Sequence, residues 1–159
     1  MSDSERYRRG AHTVTDIKYH FVWKTKYSYG VLSGEIANRT RQILREICAE
    51  HGITVVSGNI RKNHIHVLIS VPADLSVAKV ALFLKGKSSY RLQREFKELQ
   101  KRYWGQHLWA RGYFCASVGA VNEEMIRQYV ENQSEDEKSF QVWDEEELKE
   151  TCYLSGIKS

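Results

Sequence analysis

The fold is decided by residues 53–71, which read ITVVSGNIRKNHIHVLISV. Two runs rich in Val and Ile, residues 53–60 and 64–71, flank the polar segment Arg61-Lys62-Asn63, which is long enough to close a turn. Pro72 ends the second run because proline cannot donate a hydrogen bond to a sheet ladder. The stretch therefore predicts two antiparallel strands joined as a hairpin.

The chain before this hairpin predicts one strand and one helix. Residues 14–23 alternate between apolar and polar side chains, and one face of this strand carries four apolar residues: Ile17, Tyr19, Phe21 and Trp23. Residues 33–52 show helical spacing of their apolar side chains, with Ser33 as the N-cap and Gly52 at the end. Residues 1–12 form a basic arm in front of the strand.

The chain after the hairpin predicts a long basic helix from Ser76 to about residue 99, a strand over residues 113–118, and a last helix capped by Asn122. The resulting order is strand, helix, strand, strand, helix, strand and one extra helix. This order predicts an α+β fold of the ferredoxin-like split β-α-β type, with an antiparallel sheet, helices on one face, and an additional C-terminal helix.

Length and composition indicate one globular domain over residues 1–159, because 159 residues with 42% hydrophobic side chains bury one core. Apolar runs stay far below the roughly 18 residues of a membrane-spanning helix, and the N-terminus is polar. We therefore expect a cytoplasmic protein without a membrane segment. The three cysteines form no CxxC pair, which argues against a disulfide framework or a thiolate zinc site.

Charge is distributed unevenly along the chain. Residues 1–112 carry 20 Lys and Arg against 9 Asp and Glu, whereas residues 113–159 carry 4 against 11. A basic body of this kind favours a polyanionic partner such as nucleic acid. The acidic remainder is equally compatible with a solvated surface.

The motif His64-Ile65-His66 is the first candidate for chemistry. Side chains alternate along a strand, so both imidazoles project from one face while Ile65 and Val67 enter the core on the other. Two adjacent imidazoles can chelate one divalent metal ion. The alternative is a pair of exposed histidines that only form hydrogen bonds with their neighbours.

The second candidate lies on the last helix, where a spacing of four residues puts Tyr129 and Gln133 on one face. A phenol and an oxygen ligand for a metal would then lie together. The alternative is a tyrosine whose ring packs against Ile126 and Val130.

Five motifs now occur in one order along residues 14–133, and with them the chain resembles the TnpA-type single-tyrosine transposases of small bacterial insertion sequences. These are the IS200-like transposases of the HUH (His-hydrophobe-His) endonuclease superfamily. The motifs are Lys18-Tyr19-His20-Phe21-Val22-Trp23, His64-Ile65-His66, Leu84-Lys85-Gly86-Lys87-Ser88-Ser89, Arg111-Gly112-Tyr113-Phe114 and Gln128-Tyr129-Val130-Glu131-Asn132-Gln133. The acidic tail, residues 134–159, has no counterpart in this resemblance.

The resemblance implies that Tyr129 is the nucleophile and that His64, His66 and Gln133 bind the metal, with Mg²⁺ as the expected ion and Mn²⁺ as a substitute. It further implies a 5′-phosphotyrosine intermediate on single-stranded DNA with subterminal hairpins. A homodimer with shared active sites is implied too. Where relatives often carry an acidic residue before the first histidine, this chain has Asn63, which can still bind a ligand histidine by a hydrogen bond.

Because imidazole must be neutral to bind a metal, an ordinary histidine pKa predicts that activity declines below about pH 6.5.

The basic helix is the predicted contact for the DNA backbone. Its candidate residues are Lys79, Lys85, Lys87, Arg91 and Arg94. The nearby aromatic residues Tyr103, Trp104 and Trp109 could stack on bases or pack inside the protein.

Two alternatives to a transposase stay open: a domesticated, repeat-associated HUH nickase, and a non-enzymatic ferredoxin-like module that binds nucleic acid.

Overall fold

A four-stranded antiparallel sheet forms the centre of the protein, in a computed structural model that describes residues 6–120 and 122–131. A short ladder of β1 (Arg8–Arg9) and β2 (Val14–Thr15) precedes it. The main strands are β3 (Lys18–Lys24), β4 (Thr54–Ile60), β5 (His64–Ser70) and β6 (Phe114–Val118), in the spatial order β4-β5-β3-β6. This is the ferredoxin-like order, so the predicted hairpin and fold class are confirmed.

The strand predicted over residues 14–23 is divided between the two sheets. β2 pairs with β1, whereas β3 pairs with β5 and β6. Asp16 lies at the break, where its carboxylate binds Arg6 and Lys18 instead of facing solvent along a continuous strand.

The helices begin largely where the sequence predicts. They are α1 (Gly34–Glu50), α2 (Val77–Ala81), a π-helical turn (Leu82–Lys87), α3 (Ser88–Glu95), α4 (Lys97–Arg102) and α5 (Glu123–Glu131). A 3₁₀ turn, Lys26–Ser28, lies between β3 and α1. None of the described helices is long and apolar enough to cross a membrane.

The long helix predicted from Ser76 to about residue 99 starts as expected and ends early. The Ser76 hydroxyl accepts a hydrogen bond from the Lys79 backbone at 3.1 Å, which is N-cap geometry. The helix stops before Phe96, whose backbone is extended (φ −117°, ψ 101°). This break redirects the chain into α4, so that Leu99 and Tyr103 can join the core.

The two faces of the sheet are covered by different helices. Ile65, Val67 and Ile69 of β5 pack with Ile43 and Ile47 of α1 in the main core. A smaller cluster on the opposite face contains Leu68, Val118, Ile126 and Val130. The C-terminal helix α5 therefore covers the face that α1 to α3 leave open, and this is the face of the two motif histidines.

Candidate active site

Strand pairing brings three histidines to one face of the sheet. His64 and His66 project from β5 on the side opposite Ile65, as the alternation predicts. His20 of β3 stands opposite Leu68, which shares the face of His66. All three imidazoles are buried, and those of His20 and His66 lie beside Tyr129 of α5. The alternative of solvent-exposed strand histidines is therefore wrong.

Both motif histidines have a fixed neighbour at the Nδ1 atom. His64 Nδ1 lies 2.7 Å from Oδ1 of Asn63, and His66 Nδ1 lies 3.3 Å from Nε2 of His20. An amide oxygen can only accept, so His64 carries its proton on Nδ1 and its lone pair on Nε2. The expected hydrogen bond between Asn63 and the first motif histidine is therefore present, whereas metal binding by His64 stays a prediction.

Burial keeps these imidazoles neutral. It lowers the pKa of His20 to about 4, and burial together with the nearby Arg61 charge lowers the pKa of His64 to about 4. The pKa of His66 also lies well below its ordinary value, again chiefly because of burial. An ordinary histidine pKa predicts that activity declines below about pH 6.5. Because burial lowers the pKa of these histidines, we expect the decline at a lower pH.

These pKa shifts predict a pH-dependent stability of the metal-free protein. The pKa of His20 and of His64 falls from 6.5 to about 4 on folding, so between these pH values the unfolded chain binds protons that the folded chain does not. The free energy of unfolding is therefore fully retained above pH 6.5 and decreases as the pH falls, by up to roughly 1.4 kcal/mol per pH unit for each histidine.

Urea unfolding in the presence of a chelator at pH 7.5, 6.5, 5.5 and 5.0 measures this loss. His20→Phe should reduce the pH dependence of the free energy of unfolding by the contribution of one histidine. A constant free energy of unfolding across this range would contradict the predicted shifts. Paired carboxylates contribute below this range, because their pKa values are lowered.

The histidine pair suits a divalent cation as part of a larger ligand set. Its two rings lie 5.1 Å apart between centroids and are neutral, as metal ligands must be. Within residues 6–120 and 122–131, no group of three His, Cys, Asp or Glu side chains is placed to hold a metal ion. A further ligand is therefore needed, and Gln133, the one implied by the resemblance, lies outside the described residues.

Helix α5 places Tyr129 next to these histidines within a single chain. The Tyr129 ring centroid lies 6.2 Å from that of His20 and 6.3 Å from that of His66. Its neighbours Ile126 and Val130 are buried, whereas Tyr129 remains 43% exposed. The tyrosine is thus not a core residue packed between them, and it combines accessibility with proximity to the histidine pair.

Both ends of α5 are attached to the sheet. Near its C-terminal end, Asn59 Nδ2 donates to the Val130 carbonyl at 3.2 Å. In its first turn, Glu123 lies 3.3 Å from both Arg6 and the buried Lys18. Since breaking a buried ion pair is costly, these contacts hold the tyrosine helix over the histidines.

The predicted DNA-contact residues lie away from this face, on or near the helices of the main core. Lys85 Nζ donates to the carbonyls of Ala110 and Gly112 at 2.9 and 2.7 Å, and partial burial lowers its pKa. Lys87 contacts both Glu50 and His51. Arg91 binds Glu46, and Arg94 binds Tyr90. Lys79 is exposed. Their role in binding DNA stays a prediction.

The three aromatic residues near α4 have different environments. Tyr103 and Trp109 are buried in the main core, so packing is their role. Trp104 is 89% exposed and is the member of the three that remains accessible to a base.

His20 is the site residue that the sequence-based prediction omits. One signal in the sequence could have identified it: His20 alternates with Tyr19 and Phe21 and so must face away from the main core. Its neighbour His66 is 46 residues further along the chain. The contact between them depends on the register of β3 against β5, which no local pattern specifies.

Comparison with known proteins identifies close sequence relatives. Residues 13–133 match the family described as "Transposase IS200 like". The chain is 31% identical over 130 residues to the ISDra2 transposase TnpA of Deinococcus radiodurans, covering 82% of this chain and 93% of the relative. It is 34% identical over 128 residues to the transposase for insertion sequence element IS200 of Salmonella typhimurium, covering 80% and 84%.

Solved structures show the same fold. A crystal structure assigned to a transposase of Deinococcus radiodurans R1 superposes with a TM-score of 0.66 at 31% identity, covering 79% of this chain and 97% of the other. A REP-associated tyrosine transposase, solved with a REP hairpin bound, gives a TM-score of 0.56 at 12% identity, covering 82% and 70%. At that identity the second likeness concerns the fold alone.

Proposed function

Because this chain belongs to the IS200-like transposase family, we propose that it cleaves and rejoins single-stranded DNA at hairpin-bearing element ends, with Tyr129 as nucleophile. One observation carries the proposal: a half-exposed tyrosine lies about 6 Å, ring to ring, from the buried histidines of its own chain. A helix tyrosine in a purely binding module has no need of such neighbours.

The proposed reaction is a transesterification. The Tyr129 oxygen attacks a backbone phosphorus, the bond from phosphorus to the 3′ oxygen breaks, and the phenolic proton is lost while the 3′ oxygen gains one. The product is a 5′-phosphotyrosine and a free 3′ hydroxyl. Because the phosphodiester energy is retained in the covalent link, a 3′ hydroxyl of another strand can reverse the step and join new ends without ATP.

The histidine pair, completed by Gln133, is the proposed site for Mg²⁺ or Mn²⁺. A bound divalent ion would stabilise negative charge on the phosphate oxygens. The protein's part is to keep both imidazoles neutral by burial and to orient the His64 ring through Asn63. These features agree with the second-sphere contacts that metal-binding histidines ordinarily have.

A covalent-adduct assay tests this function. The protein is incubated with a radiolabelled single-stranded oligonucleotide that contains a hairpin, with MnCl₂, and is then boiled in detergent. We expect a slower-migrating protein–DNA species that a chelator prevents. DNA binding without any adduct would favour the non-enzymatic module. Adduct formation without transfer to a second strand would favour the nickase.

The proposed DNA partner is a hairpin-bearing single strand, and its binding should depend steeply on salt. The solved REP-associated transposase holds such a hairpin, and residues 1–112 of this chain carry a large excess of basic residues. Lys79→Gln should lower the slope of log affinity against log salt by roughly one unit if this lysine contacts a phosphate.

Fluorescence anisotropy from 50 to 300 mM KCl measures this slope. Lys79 is the better test residue because Lys85→Gln would also remove two contacts to the 110–112 loop. Salt-independent binding by the unmodified protein would exclude an electrostatic interface.

We further propose that the active form is a homodimer with shared sites, since joining two ends requires two nucleophiles in one complex. In the single chain α5 covers its own histidines, so exchange would require release of the contacts at Glu123 and Asn59. Gly119, between β6 and α5, offers a permissive hinge.

Mixing two inactive proteins, Tyr129→Phe and the double variant His64→Ala/His66→Ala, tests the sharing. Mixed dimers with exchanged helices regain one complete site, so adduct formation should return. If subunits exchange but the mixture stays inactive, each chain uses its own tyrosine.

A further inference from the structure

His20 and His66 form a buried pair of imidazoles across β3 and β5. The His20 Nε2 atom lies 3.3 Å from Nδ1 of His66, and the ring centroids are 5.5 Å apart with 22° between the ring planes, so the nearly parallel rings face each other through their nitrogen edges. Phe114 of β6 borders His20 on the other side, at 5.7 Å between ring centroids. Because this packing restricts rotation of both rings, the distance and orientation of the two facing nitrogen atoms are constrained.

We propose that His20 is a positioning residue that fixes the tautomer of His66. His66 donates its Nδ1 proton to Nε2 of His20, and the lone pair of His66 therefore lies on its own Nε2. Asn63 imposes the same tautomer on His64. The inference rests on the proposed function, because Nε2 is the atom that each motif histidine would offer to a divalent cation.

Two other roles for His20 fit the geometry less well. A third metal ligand would need a free lone pair on a ring nitrogen; if Nε2 of His20 accepts the His66 proton, Nδ1 of the neutral His20 ring carries its own proton and offers no lone pair. A general base for Tyr129 would need an affinity for protons nearer that of a phenol, whose ordinary pKa is about 10. Burial lowers the pKa of His20 to about 4, which makes it a weak base.

Two substitutions separate hydrogen bonding from packing. His20→Phe keeps a planar ring but has no acceptor, whereas His20→Gln keeps an acceptor in its amide oxygen. Long-range ¹H–¹⁵N NMR of the metal-free protein reports the tautomer of His66. We expect the Nδ1–H form in the unmodified protein and in His20→Gln, and a shift toward Nε2–H in His20→Phe.

Mn²⁺ affinity, measured by EPR of the free ion, provides the second readout. We expect about 10- to 100-fold weaker binding by His20→Phe and recovery in His20→Gln. An Nε2–H His66 in the unmodified protein, which needs no variant to fold, overturns the inference. So does an unchanged tautomer in a folded His20→Phe. If the tautomer shifts but the unmodified protein binds no Mn²⁺, the inference stands and the proposed metal site fails.

A second, independent observation concerns the loop between β3 and α1. The Tyr27 side chain is 67% exposed. The backbone is left-handed at both Tyr27 (φ 62°) and Ser28 (φ 54°). Such conformations are unfavourable for residues other than glycine. Lys26 Nζ lies 5.4 Å from the centroid of the Tyr27 ring, and the ring centroids of Tyr27 and Tyr29 are also 5.4 Å apart. Arg102 covers the Tyr29 ring at 4.2 Å.

These residues, Lys26, Tyr27, Tyr29 and Arg102, form a cationic aromatic patch at the end of the sheet that carries His64. The backbone N–H of Thr25 donates to the carbonyl of Asn63 at 2.8 Å, and Asn63 is the residue bound to the His64 ring. The patch and the motif histidines are therefore connected through one turn.

We infer that unpaired nucleotides of the single-stranded DNA substrate stack on the Tyr27 ring, with Lys26 and Arg102 close to their phosphates. Alternating aromatic and cationic side chains are the chemistry that binds single strands, because every base offers a π face and every linkage a negative charge. This inference rests on the proposed DNA substrate and does not depend on cleavage.

Binding of two oligonucleotides of equal length and charge tests it, one oligothymidine and one with an abasic run. Tyr27→Ala should weaken oligothymidine binding about 5- to 100-fold and leave abasic binding nearly unchanged, and Tyr27→Phe should bind normally. Tyr7→Ala is the matched control, since Tyr7 is also exposed beside an arginine, Arg6, and neither residue is a predicted DNA contact.

Equal losses of Tyr27→Ala binding for both oligonucleotides, or equal losses of oligothymidine binding for Tyr27→Ala and Tyr7→Ala, would overturn the stacking inference. Normal DNA cleavage by Tyr27→Ala with unchanged affinity would overturn it while leaving the proposed function intact. Absence of DNA binding by the unmodified protein would overturn both the stacking inference and the proposed function.

Discussion

Tyr129→Phe will abolish the covalent protein–DNA adduct while single-stranded DNA still binds. The substitution removes one oxygen, the proposed nucleophile, and no other group can replace it in the transesterification. Because the side chain is 43% exposed, the free energy of unfolding should change by less than about 0.5 kcal/mol. Detergent-resistant adduct, urea unfolding and anisotropy measure the three quantities.

Tyr113→Phe is a matched control for this result. Tyr113 is also partly exposed, and its ring lies 5.5 Å from Phe21, on the other side of the sheet from α5. It should form adduct at the normal level. Adduct formation by Tyr129→Phe at that same level would disprove the assigned nucleophile.

His64→Ala and His66→Ala will each reduce cleavage by at least about 100-fold. Losing one imidazole removes a ligand for the divalent ion, and metal stabilisation of a phosphoryl transition state is worth several kcal/mol. Single-turnover cleavage with Mg²⁺ or Mn²⁺ measures the loss, and Mn²⁺ binding by EPR should weaken in parallel.

Leu68→Ala separates metal binding from destabilisation. Leu68 lies two residues after His66, on the same face, and is buried in the small cluster beneath α5. Its truncation should destabilise the protein by about 2–5 kcal/mol while Mn²⁺ binding persists in the folded fraction. Full cleavage by either histidine variant, or by the unmodified protein in excess chelator, would contradict a metal-dependent reaction.

Local sequence patterns were sufficient for the elements and for the faces of the strands. The alternation in residues 64–70 correctly separates His64 and His66 from Ile65, because successive side chains of any strand point to opposite faces. Ser76 marks the start of a helix because its hydroxyl can cap a free backbone N–H. Such rules act over a few residues and need no knowledge of the rest of the chain.

Features that depend on distant packing do not follow from local patterns. The break at Phe96, the internal contacts of Lys85 and the burial of Trp109 all involve partners on other elements. A basic or aromatic side chain on a helix can equally face solvent or bind a neighbouring loop, and only the packed structure distinguishes the two.

Local patterns specify the ferredoxin-like order of elements, the shared face of His64 and His66, and the position of Tyr129 on a helix that follows the last strand. The docking of α5 over the histidine face, the contact of His20 with Nδ1 of His66 and the burial that keeps these imidazoles neutral follow from the packed structure instead. Side-chain periodicity and capping act over a few residues, whereas strand register, helix docking and desolvation depend on residues far apart in the chain.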